Sequence, residues 1–181
     1  MTRPATLLAT VLATTAMLCP AFTAVSPKFI WNASASTPIG LYLIEGGVPF
    51  SANDLVAVAP PEPLATLLAD RGYLPKGVLL IKHIFAVTGQ TVCRKGLTIS
   101  VDGIDVGMAL KRDSNGRDLP HWQGCRRIPA DAVLLMNSHV RDSFDGRYFG
   151  LLPTGHIIGH AVPLWTDEQG VGRFQWRAPA R

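Results

Sequence analysis

Charge is absent from Ala5 to Ser26; Arg3 stands before this apolar run and Lys28 is the first charge after it. A run of about 20 residues is long enough for roughly one bilayer crossing. Its many Ala and Thr residues make insertion only modestly favourable, and Ala21-Phe22-Thr23-Ala24 has the small-x-small form of a signal-peptide exit site. Two readings stand, a retained anchor or a cleaved signal peptide. Either sends the rest of the chain across a membrane, with Arg3 on the cytoplasmic side.

Beyond this run the pattern changes to short apolar stretches broken by Gly, Pro and Asn. Leu41 to Glu45 and Asp54 to Ala59 read as strands, the second closed by Pro60, Pro61 and Pro63. Leu64 to Arg71 reads as a short helix, with Pro63 in its first turn and Gly72 as its stop. Val78 to Val87 is a near-continuous apolar run with Lys82-His83 at its centre. Leu97 to Val101 and Ile104 to Val106 flank Asp102-Gly103, a strong hairpin signal. Lys111 to Gly124 reads as a polar surface loop, Ala132 to Met136 as a strand, Asn137 to Gly150 as a polar loop, and Ile157 to Trp165 as the last strand. Strands at short intervals with one small helix predict a mainly antiparallel β domain of barrel or sandwich type. The expected division is an anchor or signal segment over 1–28, a β domain over 29–167 and a tail over 168–181.

Composition adds limits. Hydrophobic residues make up 48% of the 181 and charged residues 17%, which excludes a disordered chain. The net charge is +4, but the basic residues are scattered rather than gathered in a stripe with aromatics. That argues against a nucleic-acid partner and for a mildly basic surface compatible with anionic lipid. Of the three cysteines, Cys19 lies in the apolar run. Cys93 and Cys125 either pair, if the compartment is oxidising, or remain two thiols; their separation fits no zinc spacing.

Candidate chemistry lies in Asn32 to Tyr42, N-A-S-A-S-T-P-I-G-L-Y, and in the apolar run around Lys82. Serine becomes a nucleophile only when a base takes its proton, and that base is a histidine or an unprotonated lysine. A free lysine titrates near about 10.4; bringing it to roughly 7 to 8 takes about 4 kcal/mol, which burial in apolar surroundings supplies. Lys82 among Leu79, Leu80, Ile81, Ile84 and Phe85 fits such a base, and equally fits an edge-strand lysine pointing to solvent. Ser36 alone fits an ordinary turn. His83 adjoins Lys82 but would face the other side of a strand. His139 near Asp142 offers a Ser–His–Asp alternative. His156 and His160 would suit a metal on a helix, but Gly155 and Gly159 favour a strand and no third ligand stands out. The reading therefore assigns no metal and no cofactor.

Three segments carry a resemblance when taken together. S-A-S-T-P-I-G-L-Y follows an apolar run. K-H-I-F-A-V-T-G-Q-T-V resembles the K-R-x-x-G-x-P-G-D-x-V stretch of type I signal peptidases. Met136 to Gly150, M-N-S-H-V-R-D-S-F-D-G-R-Y-F-G, resembles their G-D-N-x-x-x-S-x-D-S-R-x-x-G stretch. Order and spacing agree from about residue 30 to 165. The closer resemblance is to the conjugative-transfer, TraF-type branch, in which the nucleophile precedes proline by two positions, as Ser36 precedes Pro38. The S-M-x-P spacing of the general enzymes would put Ala35 there, which has no chemistry to offer.

The resemblance implies a type I signal peptidase-like β domain and a serine endopeptidase. Ser36 would be the nucleophile and Lys82 the general base. The Ser36 N–H and Ser34 hydroxyl would hold the oxyanion, Ser143 would orient Lys82, and Asp145 with Arg147 would form a supporting ion pair. Asn137-Ser138 and Thr88-Gly89-Gln90 depart from the family pattern and receive no role. The expected substrate is a pilin or other exported precursor with small residues near its cleavage site, processed at the periplasmic face of the inner membrane. Some members of this branch join pilin ends into a ring, and the sequence leaves hydrolysis and ring closure open for this chain. The alternatives are a housekeeping signal peptidase and a non-catalytic exported β domain of the transfer apparatus.

Overall fold

The computed structural model describes residues 3–18, 27–47 and 49–178. Helix α1 (Arg3–Leu18) occupies the start of the uncharged run. Its 16 residues rise about 24 Å. Among the described residues no helix is long and apolar enough to cross a membrane. Cys19 and the expected exit site at Ala21 to Ala24 lie outside the described residues.

The body is mainly antiparallel β. Strand β1 (Phe29–Asn32) pairs with β2 (Ile39–Glu45), and the turn between them carries Ser34 and Ser36. The large sheet continues through β11 (Ile157–Asp167), β3 (Leu55–Val58), β4 (Leu80–Ala86), β9 (Ala132–Leu135) and β10 (Leu151–Pro153). A second sheet has the order β7 (Ile104–Met108), β6 (Thr98–Val101), β5 (Thr91–Lys95), β8 (Gly124–Arg127). Helix α2 (Glu62–Asp70) follows β3, and the helical turn α3 (Gly146–Phe149) precedes β10. Residues Gln175 and Trp176, expected in the tail, form β12 against Trp165 and Thr166 of β11.

Alternation along the strands decides which side each residue buries. Val56 and Val58 of β3 join Leu80 and Ile84 of β4 beneath Leu64 and Leu68 of α2. Leu55 and Ala57 face the opposite way, onto Tyr42, Ile44 and Ile81. Lys82 has the parity of Leu80 and Ile84, so its stem enters the cluster that α2 covers. Because β4 lies between β3 and β9, the edge-strand alternative for Lys82 does not hold.

Close approach at two points requires glycine. A Cβ on Gly40 would come within 2.1 Å of the Trp165 carbonyl oxygen where β2 meets the irregularity in β11. A Cβ on Gly146 would meet Leu134 Cδ1 at 2.6 Å and the Leu135 carbonyl at 2.7 Å. Gly146 thus lets α3 lie directly on β9. The hairpin turn has Asp102 and Gly103 both at positive φ, as a tight two-residue turn demands.

Cys93 and Cys125 stand directly opposite each other on β5 and β8 and are joined by a disulfide. Strands β1, β8, β10 and β12 have no counterpart in the apolar pattern. Strand β8, Gly-Cys-Arg-Arg, is exposed throughout, so no buried face marks it.

Candidate active site

One buried amide shapes the turn that carries the two serines. Asn32 Nδ2 lies within hydrogen-bond reach of the carbonyls of Ser34, Thr37 and Pro38 and of Thr37 Oγ1, at 2.9 to 3.1 Å. Asn32 Oδ1 accepts from Ser34 N at 3.1 Å. The turn is folded around this side chain, leaving Ser34 exposed and Ser36 half-buried. The two hydroxyl oxygens are 3.0 Å apart.

Lys82 lies on the other wall. It is 2% exposed, and Nζ donates to Ser143 Oγ at 2.8 Å. Burial pulls its pKa down to about 8; Asp145 opposes this and Arg147 adds to it. About one Lys82 in ten is then neutral at pH 7, against fewer than about one in a thousand for a solvated lysine.

Asp145 and Arg147 are fully buried rather than an exposed pair. Their segment is also not extended: Asp145 caps α3, accepting from Arg147 N at 3.1 Å. The guanidinium is bidentate, with Nε on Asp145 Oδ1 and an Nη on Oδ2, both at 2.9 Å. It also donates to the carbonyls of Val140, Arg141 and Ser143. Three carbonyls of the loop are thereby held, that of Ser143 among them.

Two residues with no role in the sequence reading complete the site. One is Asn32. The other is Asn137, at a position where the family pattern is broken. Asn137 Nδ2 donates to the Ser36 carbonyl at 2.6 Å, and its Oδ1 accepts from His83 N at 3.0 Å. Asn137 N donates to Asp145 Oδ2 at 3.1 Å. One side chain thus joins the serine turn to β4, and its backbone joins both to the ion pair. Gln90, at the other break in the pattern, braces its own turn: it accepts from Val87 N and donates to Asp102 Oδ2.

Ser36 sits where two cavities meet. One, of about 680 Å³, is lined by Ser36, Thr37, Ile39, His83, Asn137 and the turn after β11. The other, of about 290 Å³, is lined by Ser34, Ser36, Lys82, Ser143 and Tyr148, with Asp113 of the polar loop. Nucleophile and base candidates therefore face the same space, and a peptide crossing Ser36 would have room on both sides.

His83 and His139 line the larger cavity beside Ser36 and Asp142 lines the smaller, but His139 is hydrogen-bonded to neither Ser36 nor Asp142. His156 Nδ1 meets the Ala59 carbonyl, and His160 stacks on Phe50. Among the described residues no group of three or more His, Cys, Asp and Glu is placed to hold a metal.

Fold and site together define a class: a mainly β protein in which a dry, weakly basic lysine shares a cleft with a serine held on a rigid turn. The chain belongs to the family described as signal peptidase, peptidase S26, whose model matches residues 3–165. It is 37% identical over 146 residues to a probable conjugal transfer protein TraF of Sinorhizobium fredii, covering 75% of this chain and 76% of that one. It is 32% identical over 147 residues to a conjugal transfer protein TraF of Agrobacterium fabrum, covering 76% and 82%. A probable signal peptidase I-1 of Synechocystis is 31% identical over 114 residues, covering 63% and 54%.

Proposed function

We propose that the chain is a serine endopeptidase with a Ser36–Lys82 dyad that processes exported precursors, with maturation of a conjugative pilin as its principal task. The observation that carries this is the burial of Lys82 in the same cavity as Ser36, with a pKa of about 8. Ser36 Oγ turns from Ser34 toward Lys82 Nζ, gives up its proton and attacks the scissile carbonyl. The Ser36 N–H and Ser34 hydroxyl take the negative charge that develops, a contribution of about 2.7 to 4 kcal/mol per donor in comparable sites. The Lys82 ammonium returns its proton to the departing amine. Water then attacks the ester on Ser36 with Lys82 again accepting a proton. A peptide amine attacking in place of water would leave a new amide bond and, if it came from the same chain, a ring.

The substrate reading is an extended segment with small residues near the cut, laid across Ser36. We also place the protein at the inner membrane with this site on the periplasmic side. In favour of that are exposed rings on neighbouring strands: Phe29 and Trp31 on β1, Trp165 on β11 and Trp176 on β12. Such a patch of Trp and Phe suits the interfacial zone of a bilayer.

Co-expression with a pilin precursor tests the proposal. Wild type is expected to shorten the precursor, with a further loss of one water if a ring forms, as read by mass spectrometry. Ser36→Ala and Lys82→Ala are expected to leave it uncut; full processing by both would remove the dyad.

A further inference from the structure

The disulfide lies beside two side chains that reach from the small sheet into the support of Lys82. Arg94 follows Cys93 on β5 and is a buried cation, 2% exposed. Its guanidinium donates to the Arg147 carbonyl and to Gly96 O. Trp122 precedes Cys125 by three residues, and its Nε1 donates to the Gly146 carbonyl at 3.1 Å. Gly146 and Arg147 are consecutive in α3. The Gly146 carbonyl also accepts from Gly150 N at 3.0 Å at the end of α3, whereas the Arg147 carbonyl, with no further helical turn to supply a donor, takes one from Arg94.

We propose that the Cys93–Cys125 disulfide is a clasp for the site, with Arg94 and Trp122 as the positioning residues it holds on α3. This rests on the reading of Lys82 as the base. The linkage runs through named bonds. Arg94 and Trp122 fix the Arg147 and Gly146 carbonyls. Arg147 grips Asp145 and the Ser143 carbonyl. Ser143 Oγ receives Lys82 Nζ. Strand β8 has only four paired residues, all exposed, at the border of a four-stranded sheet. Short exposed strands open locally with little resistance. The disulfide and the paired bonds between Gln123 and Gly96 add to the short β5–β8 ladder in holding the Trp122 segment against β5.

When the clasp opens, α3 loses two outside donors, Ser143 loosens and water reaches Lys82. Lys82 then titrates closer to an ordinary lysine. A disulfide that served stability alone would change the unfolding temperature and leave this titration where it was.

The test is a nitrogen-NMR titration of Lys82 Nζ in the full chain, paired with the pH profile of kcat/KM on a precursor peptide. It uses Cys93→Ser with Cys125→Ser, Arg94→Lys and Trp122→Phe. The double-serine variant and Trp122→Phe are expected to move the Lys82 midpoint up by about one pH unit and shift the acid limb of kcat/KM with it. Arg94→Lys, which keeps one donor, is expected to move it less. If the double-serine variant does not fold, the folded wild type is reduced with a phosphine, which is converted to its oxide as the two thiols form. An unmoved midpoint in these variants and in the reduced protein, with only thermal stability lowered, overturns the clasp. If wild type cuts no peptide but the midpoint still moves, the peptidase reading fails and the clasp stands.

Discussion

Asn137 donates its side-chain amide to the main-chain carbonyl of Ser36 at 2.6 Å, across 101 residues of sequence. The bond fixes the serine turn relative to β4, because the same amide group accepts from His83 N. Asn137→Ala should leave the Ser36 carbonyl and the His83 N–H without these partners, at about 1 to 3 kcal/mol of stability. Misplacing the nucleophile should lower kcat about 100-fold. The Lys82 midpoint should stay near 8, since the burial that sets it is untouched. Steady-state kinetics across pH would check this, and a shifted acid limb would contradict it.

Ser143→Ala removes the acceptor for Lys82 Nζ. The amine keeps its burial but loses the bond that aims it. The expected result is a fall in kcat of about 100-fold, with KM within about twofold of wild type, as befits general-base catalysis. An equal loss shared between KM and kcat would mean that Ser143 shapes the peptide site instead.

Part of this site was legible from residues alone, and the limits have physical causes. The letters around Ser36, Lys82 and Ser143 carried the dyad hypothesis. Whether Lys82 was buried did not follow from its run, because alternation gives the face of a strand and not what covers that face. Here α2 supplies the cover, over Leu80 and Ile84. Asn32 and Asn137 left no signal. A buried amide that satisfies a distant carbonyl looks in sequence like any loop asparagine. Asp145 and Arg147 were expected as an ion pair within a polar loop, but the carboxylate caps a helical turn too short to have a helical period. Cys93 and Cys125 remained open as pair or thiols, since β8 shows no apolar face from which its register could be inferred.

Gly146→Ala tests the contact of α3 with β9. An added Cβ would lie 2.7 Å from the Leu135 carbonyl, a backbone atom that cannot swing away. Either α3 lifts or β9 bends, and both carry Asp145 and Arg147 away from Lys82. Overpacking of this kind typically destabilises by about 1 to 3 kcal/mol, readable as a lowered denaturant midpoint. Activity should fall further than stability alone explains. Gly89→Ala is a control for backbone strain, since its positive φ is strained by a Cβ that would meet nothing within 4 Å.

Lys82 also gives stability a pH dependence of definite sign. Its pKa is near 10.5 when solvated and about 8 in the fold. Well below pH 8 it is mostly protonated in both states, and the folded protein carries a poorly solvated ammonium. Between pH 8 and 10.5 the unfolded chain holds the proton and the fold does not, so raising the pH favours folding. At about 1.4 kcal/mol per pH unit, the relief across this window is about 3 kcal/mol. Lys82→Met removes the ammonium while keeping most of the apolar stem. It should be more stable than wild type at pH 7 by about 2 to 3 kcal/mol while losing activity. The advantage should shrink through pH 9 and largely vanish by pH 10.5, because wild-type Lys82 is by then neutral as well. Other groups titrate over the same range, so the measurement is the difference in unfolding free energy between the two proteins at each pH. A constant difference would mean that Lys82 holds its proton equally in the folded and unfolded states, as an ordinary lysine does, and the amine would then have almost no proton-free form near pH 7 with which to act as a base.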